Sequence, residues 1–501
     1  MSPARAIVAA GHERAAEAAA DVLADGGNAF NAIVAAAFAS TVCEPGFTSL
    51  AGGGFLLARP AGRADVLFDF FVDTPGRGRG DGAPEPVFEE VRVRFAAAEQ
   101  AFHCGPGSVA VPGVLAGLLH VHGRLGRLPL PTVVAPAVDL ARRGVAVSAT
   151  QALDLALLEP ILARTAGSRA IFLPDGVLLG EGDVLRNPDL ADFLEALGAD
   201  RRATFYDGEL ADRVVEQLAA GGGLVTREDL AAYQVIERTP LAFRYRDRRI
   251  ATNPPPTFGG ALLGVALRRI EAEGPAPTDP VARAEQLLRT MAGVDRDRAE
   301  GHPEVVAALR GELDDDPEQR PRVDRGTTHV SVADGEGNVA AMTSSNGECS
   351  GDVIEGTGIA CNNMLGEDDL HPDGFHAAPA GQRVASMMSP TFVLDADDRV
   401  ELALGSGGSK RIRSALLQVL TAVIDLGTPL DEAVRAPRIH WDEDHLEVEP
   451  GLRPEVLDAL RAAAPVNEWP TPSMYFGGVH AVAPGRSGAG DARRGGSVRT
   501  A

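Results

Sequence analysis

Gly326-Thr327-Thr328-His329-Val330-Ser331-Val332-Ala333-Asp334-Gly335-Glu336-Gly337-Asn338 is the stretch on which the reading of this chain turns. Alternation along residues 327–333 predicts a strand with two distinct faces. Asp334-Gly335-Glu336-Gly337 predicts a reversal, and residues 338–343 predict the returning partner strand. Immediately upstream, residues 312–324 include Asp314-Asp315-Asp316-Pro317 and almost no apolar side chain, which predicts an exposed, mobile tether. A strand that opens on threonine after such a tether has a chemical use. If the Gly326-Thr327 bond breaks, Thr327 gains a free α-amine beside its own hydroxyl, so nucleophile and general base sit on one residue. That pattern predicts amide-bond chemistry begun by the chain on itself.

Composition permits it. The chain has 501 residues, 45% of them hydrophobic, enough for a large core and more than one layer pair. Its 70 acidic against 47 basic residues give a formal net charge of −23, which argues against affinity for nucleic acid or an anionic membrane. Lys410 is the single lysine. The opening residues hold an apolar run shorter than the roughly 7–15 of a signal core, so a cytoplasmic location is expected. Residues 32–43 are apolar and alanine-rich, yet well below the roughly 18 of a membrane span, and read as a core helix. Cys43, Cys104, Cys349 and Cys361 are too scattered for a disulfide framework or a metal site, and read as buried or incidental thiols. His440 and His445, with Asp442, Glu443 and Asp444 between them, lack useful metal-ligand spacing; neither metal nor cofactor is expected.

Residues 1–326 read as mostly helical. Helices are predicted at 13–25 and 28–43, parted by Gly26-Gly27 with Asn28 as N-cap, and at 113–123, 130–143, 149–165, 187–197 and 206–220. Strands are predicted at 55–58, 66–73 and around 245–253, with a loop over 76–86. Residues 327–501 read as sheet-rich, with strands at 391–394, 400–404 and 479–482 and helices at 412–426 and 429–436. The economical architecture is α+β, a four-layer α/β/β/α sandwich in which both regions form one intertwined domain.

Several ordered motifs carry a family resemblance over nearly the whole length. They are Asp25-Gly26-Gly27-Asn28-Ala29, Glu44-Pro45, Gly52-Gly53-Gly54-Phe55, the run from Gly107 to Gly113, and Gly222-Gly223-Leu224-Val225-Thr226-Arg227-Glu228-Asp229-Leu230. Thr327-Thr328-His329, Asn362-Asn363, Ser389-Pro390-Thr391, Gly407-Gly408-Ser409 and Ala436-Pro437-Arg438 follow in the C-terminal region. The chain resembles the γ-glutamyltranspeptidase family of N-terminal-nucleophile hydrolases. The resemblance implies cleavage between Gly326 and Thr327, with Thr327 as nucleophile for both self-cutting and turnover. It implies that Ser345, standing for the usual threonine, hydrogen-bonds that nucleophile, and that Gly407 and Gly408 form the oxyanion hole. Asn346 falls one position short of the family's substrate-binding asparagine, and the acidic ammonium ligand falls on Glu367, or on Asp369 with a gap. Ser386 remains of a paired-serine motif in which Met387 replaces the second serine.

The departures concentrate on the acyl pocket. Phe68-Asp69-Phe70-Phe71-Val72-Asp73-Thr74-Pro75 contains no arginine where the family clamps the substrate α-carboxylate. Lys410, Arg411, Arg413 and Arg383 are candidate replacement cations. His329, on the face of Thr327, reads as a structural hydrogen-bonding residue. G-x-S-x-G is absent, which weakens an α/β-hydrolase reading. The resemblance implies a γ-glutamyltransferase or glutathione hydrolase, releasing its acyl group to water or an amine, with the two cut fragments remaining a heterodimer. The alternatives are an amidase or acylase for another acyl group, and an uncut binding protein.

Overall fold

The hairpin that begins after Thr327 lies at the centre of the molecule. The computed structural model describes residues 5–80, 84–95, 97, 99–197, 206–310, 327–367, 370–371 and 374–501. The 312–324 tether, Gly326 and Asp369 lie outside them. Two antiparallel sheets hold the core. In chain order their strands are β1 (Ile7–Ala10), β2 (Gly53–Arg59), β3 (Val66–Phe70), β4 (Ile236–Arg238), β5 (Leu241–Tyr245) and β6 (Arg248–Thr252). They continue as β7 (Thr328–Ala333), β8 (Val339–Ser345), β9 (Thr391–Leu394), β10 (Val400–Gly407), β11 (Gly478–Ala483), β12 (Ser487–Ala489) and β13 (Ser497–Thr500). The first sheet runs β13-β1-β7-β8-β2-β3-β4 and the second β12-β11-β10-β9-β6-β5.

Both strands of the central hairpin are buried on both faces, so the two-residue period divides one strand between two cores. Ile7, Ala9, Phe55, Leu57, Val339 and Ala341 belong to the core shared with the second sheet. Their neighbours Val8, Ala10, Leu56, Ala58, Ala340 and Met342 face the outer helical layer. That layer includes helices Glu13–Ala24, Ala29–Cys43, Val114–Leu125 and Leu130–Arg143. Helices Gly259–Ala272 and Lys410–Leu426 pack on the other side of the second sheet, completing four layers. Every residue of Ala29–Cys43 is buried, which fits an apolar helix in a core. None of the described helices is long and apolar enough to cross a membrane.

Local chemistry ties the layers together. Asn28 caps its helix through a reciprocal pair with Asn31, and the Asp334 carboxylate accepts both the Ala29 N–H at 2.9 Å and Asn338 Nδ2 at 2.7 Å. The tight reversal after β7 therefore also satisfies a helix start. All four cysteines are buried free thiols.

Residues before 327 are less uniformly helical than their sequence suggests, since they supply β1 to β6, four of the seven strands in the first sheet and two of the six in the second. β1 is four residues long and gains its order from distant partners, with Ile7 opposite both Ala333 and Thr500. Nothing local marks such a strand.

Candidate active site

Thr327 precedes β7 and is buried, and Thr328 opposite Ser344 sets the register. One further step along that register sets Thr327 opposite Ser345, the last residue of β8. Side chains alternate, so Thr328 turns to the helical layer and donates to Glu44 Oε1 at 2.8 Å. His329 turns inward between the sheets, where its ring nitrogens meet Thr343 Oγ1 at 2.7 Å and Ser331 Oγ at 2.9 Å. Burial pushes His329 well below the usual imidazole range, so it stays neutral and serves the hydrogen-bonding role expected of it.

The second sheet brings the glycine pair. Gly407 ends β10 opposite Gly478, and a methyl on Gly407 would stand 2.0 Å from the Thr327 carbonyl oxygen. Only glycine permits that approach. Ser406 Oγ donates to the Gly407 carbonyl at 2.7 Å and accepts the Gly478 N–H at 3.1 Å, which fixes the strand end. Gly408 follows with φ 110°, a conformation that suits glycine, and it lies against Gly477.

The turn after Ser345 forms the opposite wall. Ser345 Oγ accepts the Gly347 N–H at 3.0 Å. Asn346 is fully buried; its Nδ2 donates to the Cys361 carbonyl at 3.3 Å, while Oδ1 has no hydrogen-bond partner among the described residues. Glu367 is also buried, and a methyl on Gly347 would lie 2.3 Å from its Oε1. Asn362 and Asn363 hold this wall: Asn362 bridges the Ala51 and Ala110 carbonyls at 2.8 and 3.0 Å, and Asn363 Oδ1 accepts the Glu348 N–H at 2.9 Å. Thr327, Ser345, Asn346, Glu367, Gly407 and Gly408 thus gather where the two sheets meet. Ser386 and Met387 sit apart in their contacts, at the start of helix Gly259–Ala272. There the Ser386 carbonyl accepts the Phe258 N–H at 2.8 Å and Met387 is buried in the core.

Arg383 lies against the segment where the family's arginine is expected, donating to the Phe71 carbonyl, while Lys410, Arg411 and Arg413 are engaged elsewhere. Arg383 reaches Asp73 at 2.9 Å, Asp69 at 3.2 Å and the Gln234 carbonyl at 2.7 Å. Arg413 pairs with Asp295, and Lys410 with Glu443 at 3.2 Å and Asp442 at 3.5 Å. Arg411 lies 4.2 Å over the Tyr475 ring and donates to the Tyr475 carbonyl. In the segment where the family's arginine is expected, Phe71 is fully buried and stacks on Phe55 at 5.4 Å.

Sequence reasoning missed the cation that does reach Thr327. Arg494 Nη1 donates to the Thr327 carbonyl at 2.9 Å, from a turn 167 residues away. Its sequence context, Asp491-Ala492-Arg493-Arg494, offers no signal that separates it from Arg493, which pairs with Glu449 and Asp491. Asp154 and Glu44 also gather nearby, and burial pushes each carboxyl up to about 7. The Thr328 hydrogen bond lowers Glu44, but less than burial raises it. Folded Glu44 therefore keeps a proton that the unfolded chain loses, so stability falls as pH rises from about 4.5 to about 7 and stays lower above. Glu44→Gln is expected to remove on the order of 3 kcal/mol of that decline. Denaturant midpoints of both proteins at pH 5 and pH 8 measure it, and equal declines would contradict the buried proton.

No group of three or more metal-ligating side chains occurs among the described residues. The site brings the Thr327 hydroxyl at a strand start together with side-chain acceptors on one wall and glycine backbone on the other.

Comparison with known proteins agrees on this architecture. The chain is 32% identical over 484 residues to the acylase ACY 1 proenzyme of Pseudomonas sp. (strain V22), covering 91% of this chain and 86% of that one. It is 31% identical over 488 residues to the glutathione hydrolase proenzyme of Escherichia coli (strain K12), covering 88% and 82%. Cephalosporin acylase from Bacillus halodurans superposes with a TM-score of 0.83 at 25% identity, over 99% of this chain and 96% of that one. A family model described as Gamma-glutamyltranspeptidase matches residues 15–501. With that match spanning nearly the whole chain, and the same fold in its structural neighbours, the protein belongs to the γ-glutamyltranspeptidase family.

Proposed function

We propose that this protein is an amide hydrolase that frees its own nucleophile by cutting before Thr327, and that its acyl group is not one gripped by an α-carboxylate. The approach of the Thr327 carbonyl to Gly407, with Ser345 opposite, carries the reading. In the uncut chain the Thr327 hydroxyl attacks the Gly326 carbonyl carbon. The peptide C–N bond breaks as the Thr327 nitrogen takes up a proton, and water cleaves the resulting ester. In turnover the freed α-amine takes the hydroxyl proton while the oxygen attacks the substrate amide. It then returns the proton to the leaving amine, and water or an amine acceptor releases the acyl group. Ser345 orients the attacking hydroxyl, and the N–H groups of Gly407 and Gly408 receive the developing oxyanion. The two fragments stay joined as a heterodimer, since both supply hydrogen-bonded strands to each sheet, with β1 held between β13 and β7.

The pocket supports an acylase. Phe71 stacks on Phe55 in the segment where a carboxylate-clamping arginine is expected, and Arg383, Arg413 and Lys410 are neutralised by their own carboxylates. The acylase names among its relatives agree. A γ-glutamyl donor is the second reading, favoured by buried Glu367 and the open Asn346 Oδ1, both suited to an ammonium, and by the glutathione hydrolase relative.

Three chromogenic anilides separate the two. A 4-aminobutyryl anilide lacks only the α-carboxylate of the γ-glutamyl compound, and a glutaryl anilide lacks only its ammonium. We expect kcat/KM for 4-aminobutyryl and for glutaryl to stay within about tenfold of γ-glutamyl, whereas the second reading requires glutaryl to fall by about 10- to 100-fold through loss of its charged hydrogen bonds. A 4-aminobutyryl value lower by about 100-fold would restore carboxylate recognition and the γ-glutamyl reading.

A further inference from the structure

Arg494 is an arginine that neither the sequence motifs nor the reaction scheme above requires, yet it stands against the proposed nucleophile. The residue is 6% exposed. Nη1 donates to the Thr327 carbonyl at 2.9 Å, Nη2 to the Met474 carbonyl at 3.2 Å, and the guanidinium carbon lies 4.8 Å over the Phe47 ring. Nη1 also stands 3.1 Å from the point where a Gly407 methyl would be. The side chain is thus wedged between the start of β7 and the end of β10. Within one residue the α-nitrogen lies three bonds from its carbonyl oxygen, so this charge sits within about 6 Å of the amine that cutting would free.

Resting on the N-terminal nucleophile reading above, we propose that Arg494 is its positioning residue: it fixes the Thr327 carbonyl against Gly407, and its charge holds the new α-amine in the unprotonated, basic form.

The electrostatic argument has a definite sign. A fixed cation near an amine disfavours the ammonium and lowers its pKa. An α-amine starts near about 7.7–8.0, so without help much of it would be protonated and inert as a base at neutral pH. Other charged groups face the same place from several elements. Asp154 comes from helix Ala149–Leu162, Glu44 from the end of helix Ala29–Cys43, Glu348 from the turn after β8, and Asp491 from Arg494's own turn. Beneath them His329 is held well below its usual range and His480 near about 4, so both are neutral. Asp154 and Glu44, raised to about 7 by burial, are largely protonated at lower pH and leave the guanidinium less opposed there, while Asp491, held against burial below the usual carboxylate range by Arg438 and Arg493, stays ionised. As Asp154 and Glu44 ionise above that, they oppose it.

The consequence is a pair of shifts of opposite sign. In profiles of kcat/KM from pH 5 to pH 9, run on the anilide that wild type cleaves fastest, the acidic limb reports the free amine. Arg494→Met is expected to move that limb up by about one to two pH units, and Arg494→Lys to keep it near the wild-type position. Asp154→Asn, which removes an opposing carboxylate, is expected to move it down by about half a unit. Rates are normalised to the fragment that begins at Thr327.

A uniform loss of rate at every pH in Arg494→Met, or a lysine variant indistinguishable from the methionine one, would reduce Arg494 to packing and overturn the proposal. If Arg494→Met does not fold or cut, an unmoved limb in Asp154→Asn overturns it instead. Wild type that is never cut before Thr327 defeats the underlying reading; wild type cut and active, with unmoved limbs, defeats this one alone.

Discussion

Thr327→Ala is expected to migrate as one uncut chain on a denaturing gel, where wild type separates into two fragments that meet at Gly326-Thr327. Anilide hydrolysis should fall with it, by about 10⁴-fold or more, because in the proposed mechanism the residue supplies both the attacking oxygen and, after cutting, the base. Thr327→Ser keeps the hydroxyl and should retain cutting and turnover at reduced rate. The substitution removes few contacts, since the Thr327 carbonyl that meets Arg494 is backbone. Intact melting behaviour with lost chemistry is therefore the expected pairing. Wild type that stays whole and hydrolyses no anilide would instead leave an uncut binding protein.

Gly407→Ala should produce the second large effect. Its φ lies outside the left-handed region, so alanine is acceptable to the backbone, but the methyl would meet the Thr327 carbonyl oxygen at 2.0 Å. That oxygen is main chain and already held by Arg494, so it yields only by displacing the nucleophile itself. We expect both cutting and kcat to fall by about 10²- to 10³-fold, comparable to loss of one oxyanion donor. Gly80→Ala is the matched control, because a methyl at that exposed glycine meets nothing within 4 Å, and it should behave as wild type. A Gly407→Ala enzyme cut at the normal rate and active within about threefold of wild type would remove Gly407 from the site.

The hairpin around Asp334 is legible in the sequence because its information is local: alternation, a turn run and a returning strand lie within about twenty residues. So are helices Glu13–Ala24 and Ala29–Cys43, whose glycine break and asparagine cap are adjacent in the chain. β1 and β13 are not, because four-residue strands at opposite ends of the chain become strands only by pairing, β13 with β1 and β1 with β7. The candidate cations illustrate the same limit. Proximity in sequence to Gly407-Gly408 suggests Lys410, Arg411 and Arg413, whereas helix geometry carries Arg413 to Asp295 and Lys410 to Asp442 and Glu443.

The sequence by itself pointed to a candidate nucleophile, a candidate hydroxyl partner and the glycine pair, since each depends on residue type at a fixed place in a motif. Tertiary structure alone decided which charges meet there. It selected Arg494 from the chain's many arginines and brought it to Thr327, and it buried Phe71 against Phe55 in the segment where a carboxylate clamp is expected. The physical reason is that a side chain's charge acts over a few ångströms of space, and sheet pairing between residues hundreds of positions apart sets those distances.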